Sequence, residues 1–338
     1  MRVVVVGATG NLGTAVLRRL HAAPEVSGLA GIARRLPRTA DEPYGGVQWF
    51  PLDIAAPDAR QQLEHALRGA DAVVHLGWAL QPSHHDSVMH AVNVDGTRNV
   101  LEAAAAAGVR QVVVASSVGT YKSGPKGRRV DEGFSTKGLR RSSYSRHKAE
   151  NERAMTAFEA AHPDVTVTRL RPGLVFQAAA ASEIVGLFLG RWVPTRWMQR
   201  FAPPFLPLSP RFVSQVVHAD DVADATWRAI DRRAGGAFNL AAEPPVDSAD
   251  IARAFRSRLL PVPYRLLRLV VQVTWLLRLQ PTEPGWLDIA AKVPVMSTDR
   301  ARDVLGWAPS RTSHEVLREF ADAVAGRSNV AGSPPLHG

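Results

Sequence analysis

Met1–Gly13, MRVVVVGATGNLG, opens the chain and decides its fold. Arg2 to Val6 is a β-branched, almost wholly apolar run, which suits a parallel strand buried on both faces better than one alternating between core and water. Gly7, Gly10 and Gly13 follow at even spacing, and a helical pattern runs on from Thr14 to Leu20. The order is therefore strand, tight turn, helix. Glycines at such a turn let the backbone approach a diphosphate, and the helix N-terminus offers N–H donors and partial positive charge. A glycine triplet alone is a weak signal; its position between a β-branched strand and an amphipathic helix makes it a dinucleotide-binding turn.

The pattern repeats downstream. Gly28 to Ala33 reads as a second strand ending at Arg34-Arg35. At this strand end an acid accepts from a ribose 2′-hydroxyl, whereas arginine pairs with a 2′-phosphate. No acid stands there, so NADP(H) is favoured with NAD(H) left open; the alternative is an exposed basic loop. Val47 to Leu52 gives a third strand, after which Asp53 either accepts from an adenine amino group or caps a helix over Pro57 to Arg68. Asp71 to Leu76 is a fourth strand closed by Gly77, and a long helix spans His85 to Ala107. Arg110 to Ala115 is a fifth strand that delivers Ser116 and Ser117. A helix over Ser142 to Ala161 carries Tyr144 and Lys148 one turn apart, on one face. A sixth strand, Val165 to Leu170, leads into Arg171-Pro172-Gly173.

Regular alternation then stops. The region to Arg211, with Phe188, Trp192, Trp197, Phe201 and Phe205, reads as a substrate-facing insertion. Phe212 to Val217, a helix to Arg232 and a last strand, Ala237 to Leu240, resume the pattern, and from Val246 the chain is mostly helical. The expected fold is α/β: a Rossmann-type doubly wound parallel sheet with a smaller, mostly helical C-terminal substrate domain. Its parts are residues 1–172 and 212–241 for the dinucleotide domain, 173–211 for the insertion, 242–326 for the substrate domain, and a disordered tail at 327–338.

Composition narrows the function. With 46% hydrophobic residues the chain can bury a full core, and with no cysteine it has neither disulfides nor thiolate chemistry. His84-His85 is the only adjacent histidine pair and no metal-ligand spacing occurs, so no metal is expected. The net charge of +10 is spread along the chain in arginine pairs without interleaved aromatic residues, which reads as solvated surface rather than a nucleic-acid interface. The N-terminal apolar run is too short for a secretory signal. Leu266 to Leu279 includes Arg268, Gln272 and Arg278 and falls short of the ~20 residues that cross a bilayer. A soluble, cytoplasmic protein is expected, in which this segment covers a substrate pocket or a dimer seam; a peripheral membrane contact is the alternative.

Ser117, Tyr144 and Lys148 make a chemical set. A phenol with a pKa near ~10 is a poor base at neutral pH, but an adjacent ammonium and a positive nicotinamide ring favour the phenolate. Tyr144 can then exchange a proton with an alcohol oxygen while hydride moves at the adjacent carbon, with Ser117 orienting that oxygen. The alternative is structural, since Tyr and Lys at this spacing often occur by chance.

These residues, together with GATGNLG (Gly7–Gly13), Asp53, NVDGTRNVLEAA (Asn93–Ala104), VVVASSVGTY (Val112–Tyr121), YSRHK (Tyr144–Lys148), LRPG (Leu170–Gly173), VHADDVADA (Val217–Ala225), FNLA (Phe238–Ala241) and LGWAP (Leu305–Pro309), make the sequence resemble the extended short-chain dehydrogenase/reductase family. The resemblance covers nearly the whole chain. It implies a cofactor site of Gly7, Thr9, Gly10, Asn11, Leu12, Gly13, Arg34, Arg35, Asp53, Ile54, Leu76, Gly77, Lys148 and Pro172, and a catalytic set of Ser117, Tyr144 and Lys148. Asn93 matches a fourth member supporting a proton relay; the alternative is a buried amide tying helix to loop. Asp221 matches a structural aspartate, and a homodimer is usual in the family. Leu174-Val175-Phe176-Gln177 stands where sugar-nucleotide members carry an asparagine and a Y-G-P turn, which removes a polar group and points to an apolar pocket. Arg191, Arg196 and Arg200 could still bind an anion. The resemblance thus implies an NADP(H)-dependent oxidoreductase acting on a carbonyl or alcohol of a small, fairly apolar substrate. A sugar-nucleotide epimerase/dehydratase and a non-catalytic NADP(H)-binding regulator are the alternatives.

Overall fold

In the computed structural model, residues 1–81, 83–181 and 203–326 are described. The insertion's Phe188, Arg191, Trp192, Arg196, Trp197, Arg200 and Phe201, and the tail at 327–338, lie outside them.

The first half alternates strand and helix: β1 (Arg2–Val6), α1 (Asn11–His21), β2 (Gly28–Ala33), β3 (Val47–Pro51), α2 (Ala59–Leu67) and β4 (Ala72–His75). The predicted long helix is α3 (Asp86–His90) and α4 (Gly96–Ala106) joined by a π-helical stretch, Ala91–Asp95. Then come β5 (Gln111–Ala115), β6 (Arg129–Val130), α5 (Ser143–Ala161), β7 (Thr166–Pro172) and β8 (Leu174–Phe176). The second half holds β9 (Phe205–Leu208), β10 (Val213–Ser214), β11 (Val216–His218), α6 (Ala219–Asp231), β12 (Gly236–Leu240), β13 (Val246–Asp247), α7 (Ser248–Ala254) and β14 (Arg258–Pro261). It ends with α8 (Tyr264–Leu276), α9 (Gly285–Lys292), β15 (Val295–Met296), α10 (Asp299–Leu305) and α11 (Ser313–Val324).

Seven strands form one parallel sheet in the order β12-β7-β5-β4-β1-β2-β3. β1 lies between β2 and β4, and its valines explain why. Val3 and Val5 pack with α1 and α6 on one face, while Val4 and Val6 pack with α2, α4 and α5 on the other. A strand with both faces buried has no use for alternation. The strand order reverses between β2-β1 and β4, so a crevice opens at the C-terminal ends of these strands.

Gly7 holds a φ of +82°, and a Cβ there would fall 2.7 Å from the Gly77 nitrogen. A Cβ on Gly13 would fall 2.3 Å from the Gly7 oxygen and 2.6 Å from Ala8. The turn is thus wedged against α1 and the end of β4. Gly13→Ala is expected to cost about 1–3 kcal/mol, the range for overpacking a close contact, read as a lower denaturant midpoint with unchanged slope.

The second half of the chain departs from the sequence reading in several places. The single strand expected over Phe212 to Val217 divides at Gln215 into β10, which pairs with β13, and β11, which pairs with β8. Gln215 is buried and its side chain bonds Met296 through both Oε1 and Nε2, so this residue serves the junction rather than one continuous ladder. The C-terminal part is helical but also supplies β14, paired with β9, and β15, paired with β6. α8 buries none of its residues, which departs from the expected pocket cover but not from the expected dimer seam, since a seam face is exposed in a single chain.

Candidate active site

A groove of about 670 Å³ follows the crevice. Gly7, Thr9 and Gly10 line it from the glycine turn, Asp53 and Ile54 from the end of β3, and Leu76 and Gly77 from the end of β4. Arg34, Arg35 and Arg38, with Asp41 and Tyr44, line it beyond β2. A Cβ on Gly10 would meet only the Gly7 oxygen, at 3.4 Å, so this glycine leaves open the space before the α1 N-terminus. No side chain caps α1, and its first turn carries no acid. Open backbone at an uncapped helix start fits a diphosphate.

Asn11, Leu12 and Gly13 begin α1 beside the groove, and Pro172 ends β7 opposite Leu240. Asp53 does not cap α2, whose N-cap is Asp58; its Oδ1 accepts from the Ala55 N–H at 3.0 Å. Arg34 and Arg35 are exposed, and neither they nor Arg38 have an ion-pair partner among the described residues. Arg38 went unnoticed in the sequence because it lies beyond the strand end, in a loop whose path the strand pattern does not set.

Ser117 follows β5, and its Oγ accepts from the Gly119 N–H at 3.0 Å. α5 starts against this turn. Ser142 caps it by accepting from the Ser145 N–H, and the Glu283 carboxylate accepts from the Ser143 N–H at 3.1 Å. Ser145 accepts from the Leu139 N–H at 2.7 Å and donates to the Gly119 carbonyl. A carboxylate at the helix N-terminus complements its dipole and fixes where Tyr144 emerges.

The structure brings Tyr144, Lys148 and Ser117 together. Ser117 hydrogen-bonds the Tyr144 phenol, yet burial dominates and pushes that phenol up to about 12. Lys148 is buried, which brings its amine down to about 7, against the pull of Glu152 one turn further along α5. Its Nζ donates to the Ala115 carbonyl at 2.7 Å and lies 3.5 Å from the centroid of the Trp78 ring. Trp78 also meets Tyr144 edge-on, at 5.4 Å between centroids, and lines the groove, so one indole joins groove to phenol. Trp286 of α9 lies 4.6 Å from Tyr144 at a tilt of 40°. Neither tryptophan was identified from the sequence. Trp78 directly follows Gly77, which could have marked it; Trp286 comes from a distant helix, and nothing local marks it.

Asn93 is buried in the π-helical stretch, where it joins the helix to the loop after β4. Its Oδ1 accepts from the Ala79 N–H at 2.7 Å, and its Nδ2 donates to the Ala79 carbonyl at 2.9 Å. Its main-chain oxygen accepts from Asn151 and Thr97. Behind the site, Arg171 and Glu152 form a buried bidentate pair at 2.8 and 2.7 Å, with Ser116 donating to the same carboxylate and Tyr121 accepting from Arg171. Gln177 is engaged within the chain: its Nε2 donates to Asn11 and its Oε1 accepts from Arg18. Asp221 accepts from the Ser310 N–H, and its main-chain oxygen from the Trp307 indole.

Against known proteins, the profile of the NAD dependent epimerase/dehydratase family matches residues 3–241. The chain belongs to that family. This family member is 28% identical over 330 residues to an uncharacterized protein of Mycobacterium tuberculosis, covering 97% of this chain and 30% of the relative. The chain therefore spans about a third of that relative's length. It is 24% identical to the human sterol-4-alpha-carboxylate 3-dehydrogenase, decarboxylating, over 94% of this chain and 86% of that protein. Among solved structures, the Thermus thermophilus UDP-glucose 4-epimerase in complex with NAD superposes with a TM-score of 0.71 at 22% identity, covering 97% and 100% of the two chains. A short-chain dehydrogenase/reductase superfamily protein from Agrobacterium tumefaciens with bound NAD gives 0.70 at 23% identity, covering 97% and 98%. The family member thus carries the extended short-chain dehydrogenase/reductase fold.

Proposed function

We propose that the protein is an NADP(H)-dependent oxidoreductase that interconverts a carbonyl and an alcohol on a small, fairly apolar substrate, with Tyr144 as general acid and base. One observation carries this reading: Trp78 lines the groove and packs against both Lys148 and Tyr144, which supports a proton-transfer pair adjoining the groove. The groove backbone would hold the diphosphate, and Lys148 the nicotinamide ribose. When bound, the nicotinamide supplies or accepts the hydride.

The protein's own residues handle the proton. At neutral pH the buried phenol of Tyr144 is protonated and can give its proton to a carbonyl oxygen. Ser117 Oγ hydrogen-bonds that oxygen and fixes its distance from the phenol. The Lys148 ammonium, backed by Glu152 and the π face of Trp78, lowers the cost of the phenolate that remains. In the alcohol-oxidising direction the same groups act in reverse. Trp78 and Trp286 beside the phenol support an apolar substrate, as does the engagement of Gln177 with Asn11 and Arg18. The human relative, named for a sterol substrate, agrees with that class.

The test is turnover. Purified protein given NADPH and a panel of apolar ketones is expected to consume reduced nicotinamide in proportion to alcohol formed. A sugar nucleotide converted to its epimer with no net change in nicotinamide absorbance would replace this reading with an epimerase; cofactor binding with no turnover of ketones or alcohols in either direction would replace it with a regulator.

Arg34 and Arg35 supply the NADP(H) preference, since two guanidinium groups at the end of β2 match a 2′-phosphate. The double variant Arg34→Ala/Arg35→Ala is expected to bind NADPH about tenfold or more weakly, the loss of a charge-assisted hydrogen bond, while NADH affinity changes little. Calorimetry finding NADH the tighter ligand of the parent protein would contradict the preference.

A further inference from the structure

We propose that α8 is a lipid-facing surface that seats the protein on an anionic membrane. This surface is independent of the proposed reaction. In its usual sense an amphipathic helix turns its apolar stripe inward. α8 half-buries Leu267 and Val271 but turns most of its apolar residues outward. Its inner edge is held by polar contacts: Tyr264 donates to Asp288 at 2.5 Å, Arg268 pairs with Asp288 at 3.1 Å, and the Trp275 indole donates to Ser83 at 2.9 Å. Leu266, Leu269, Val270, Val273, Leu276 and Leu277 lie at helical spacing on the outer side, each between 45% and 64% exposed. Leu260 of β14, four residues before the helix, is 48% exposed, and Phe205 of the paired strand β9, opposite Arg258, is 52% exposed. A contiguous apolar patch of this kind marks a docking surface.

Charge selects the occupant. From Ile251 to Thr282 the chain carries six arginines and no acidic residue. Arg253, Arg256 and Arg268 are spent on carboxylates, whereas Arg258, Arg265 and Arg278 have no ion-pair partner among the described residues. An apolar stripe between unpaired arginines is complementary to acyl chains beneath phosphate headgroups. No helix among the described residues is long and apolar enough to cross a membrane, so the contact is one of lying on the surface. Trp275 stacks on His84 at 4.3 Å and bonds Ser83, so α8 rests on the same β4–α3 connection that carries Trp78. A membrane under α8 would therefore adjoin the proposed active site.

Sedimentation of the full chain with vesicles tests this. With equal parts phosphatidylglycerol and phosphatidylcholine the parent protein is expected to pellet with the lipid, at least about tenfold more strongly than with phosphatidylcholine alone, and to release at high salt. Leu269→Glu/Val273→Glu is expected to reduce that binding at least about tenfold, with melting temperature and NADPH affinity unchanged. The parent protein staying in solution with both vesicle types would overturn the proposal. So would a dimer in solution that this variant converts to a monomer, which makes a second copy the occupant. A lower melting temperature of the variant would also overturn it, because the face would then be covered from within the chain.

Discussion

Tyr144→Phe is expected to lower kcat for ketone reduction by about 10²–10⁴-fold, the usual contribution of a positioned general acid, while NADPH affinity stays within about twofold. The hydroxyl is the only part removed, and the ring keeps its contacts with Trp78 and Trp286. Stopped-flow reduction gives kcat, and NADPH fluorescence titration gives affinity. Unchanged turnover would take Tyr144 out of the mechanism. In the parent protein the reduction rate is expected to fall as pH rises past about 7, because burial brings Lys148 into that range and the charged amine is what favours the phenolate.

Glu152→Ala is expected to destabilise the protein by about 3–5 kcal/mol, since it leaves the Arg171 guanidinium buried without its counter-charge. Both residues are only 4% exposed, so water cannot take over the pairing. Chemical denaturation measures the loss. Replacing both residues together, Glu152→Leu/Arg171→Met, is expected to cost well under the sum of the single changes, because no charge is then stranded. A second readout separates packing from electrostatics: Glu152 holds the Lys148 amine up, so in the Glu152→Ala variant the pH at which reduction falls is expected to move lower than in the parent. An additive double variant and an unmoved pH profile would show that the pair acts through neither route.

The sheet and the glycine turn were legible because their signals are local. A β-branched run, three glycines and a helical pattern stand next to each other in sequence, and each strand end could be read off in the same way. Tyr144 with Lys148 was legible because one helical turn fixes their shared face. The Trp78 indole was not, because it gains its meaning only when β4 delivers it against α5, and Trp286 arrives from the far end of the chain. Glu152 with Arg171 was hidden for the same reason: one lies on a helix and the other on a neighbouring strand, and neither position looks unusual alone. Periodicity also says that a helix has an apolar face without saying where the face points, which is how α8 came to be expected as a cover. For Asn93, sequence weighed a relay against a structural tie; both groups of its amide engage Ala79.

The most direct measurement follows the hydride itself. The protein is incubated with a ketone substrate and NADPH deuterated at the nicotinamide C4, and the product is weighed by mass spectrometry. Hydride transfer at this site predicts alcohol that carries deuterium at the former carbonyl carbon, with one oxidised cofactor for each alcohol formed. Alcohol lacking the label, or a product isomeric with its substrate and no oxidised cofactor, would contradict it.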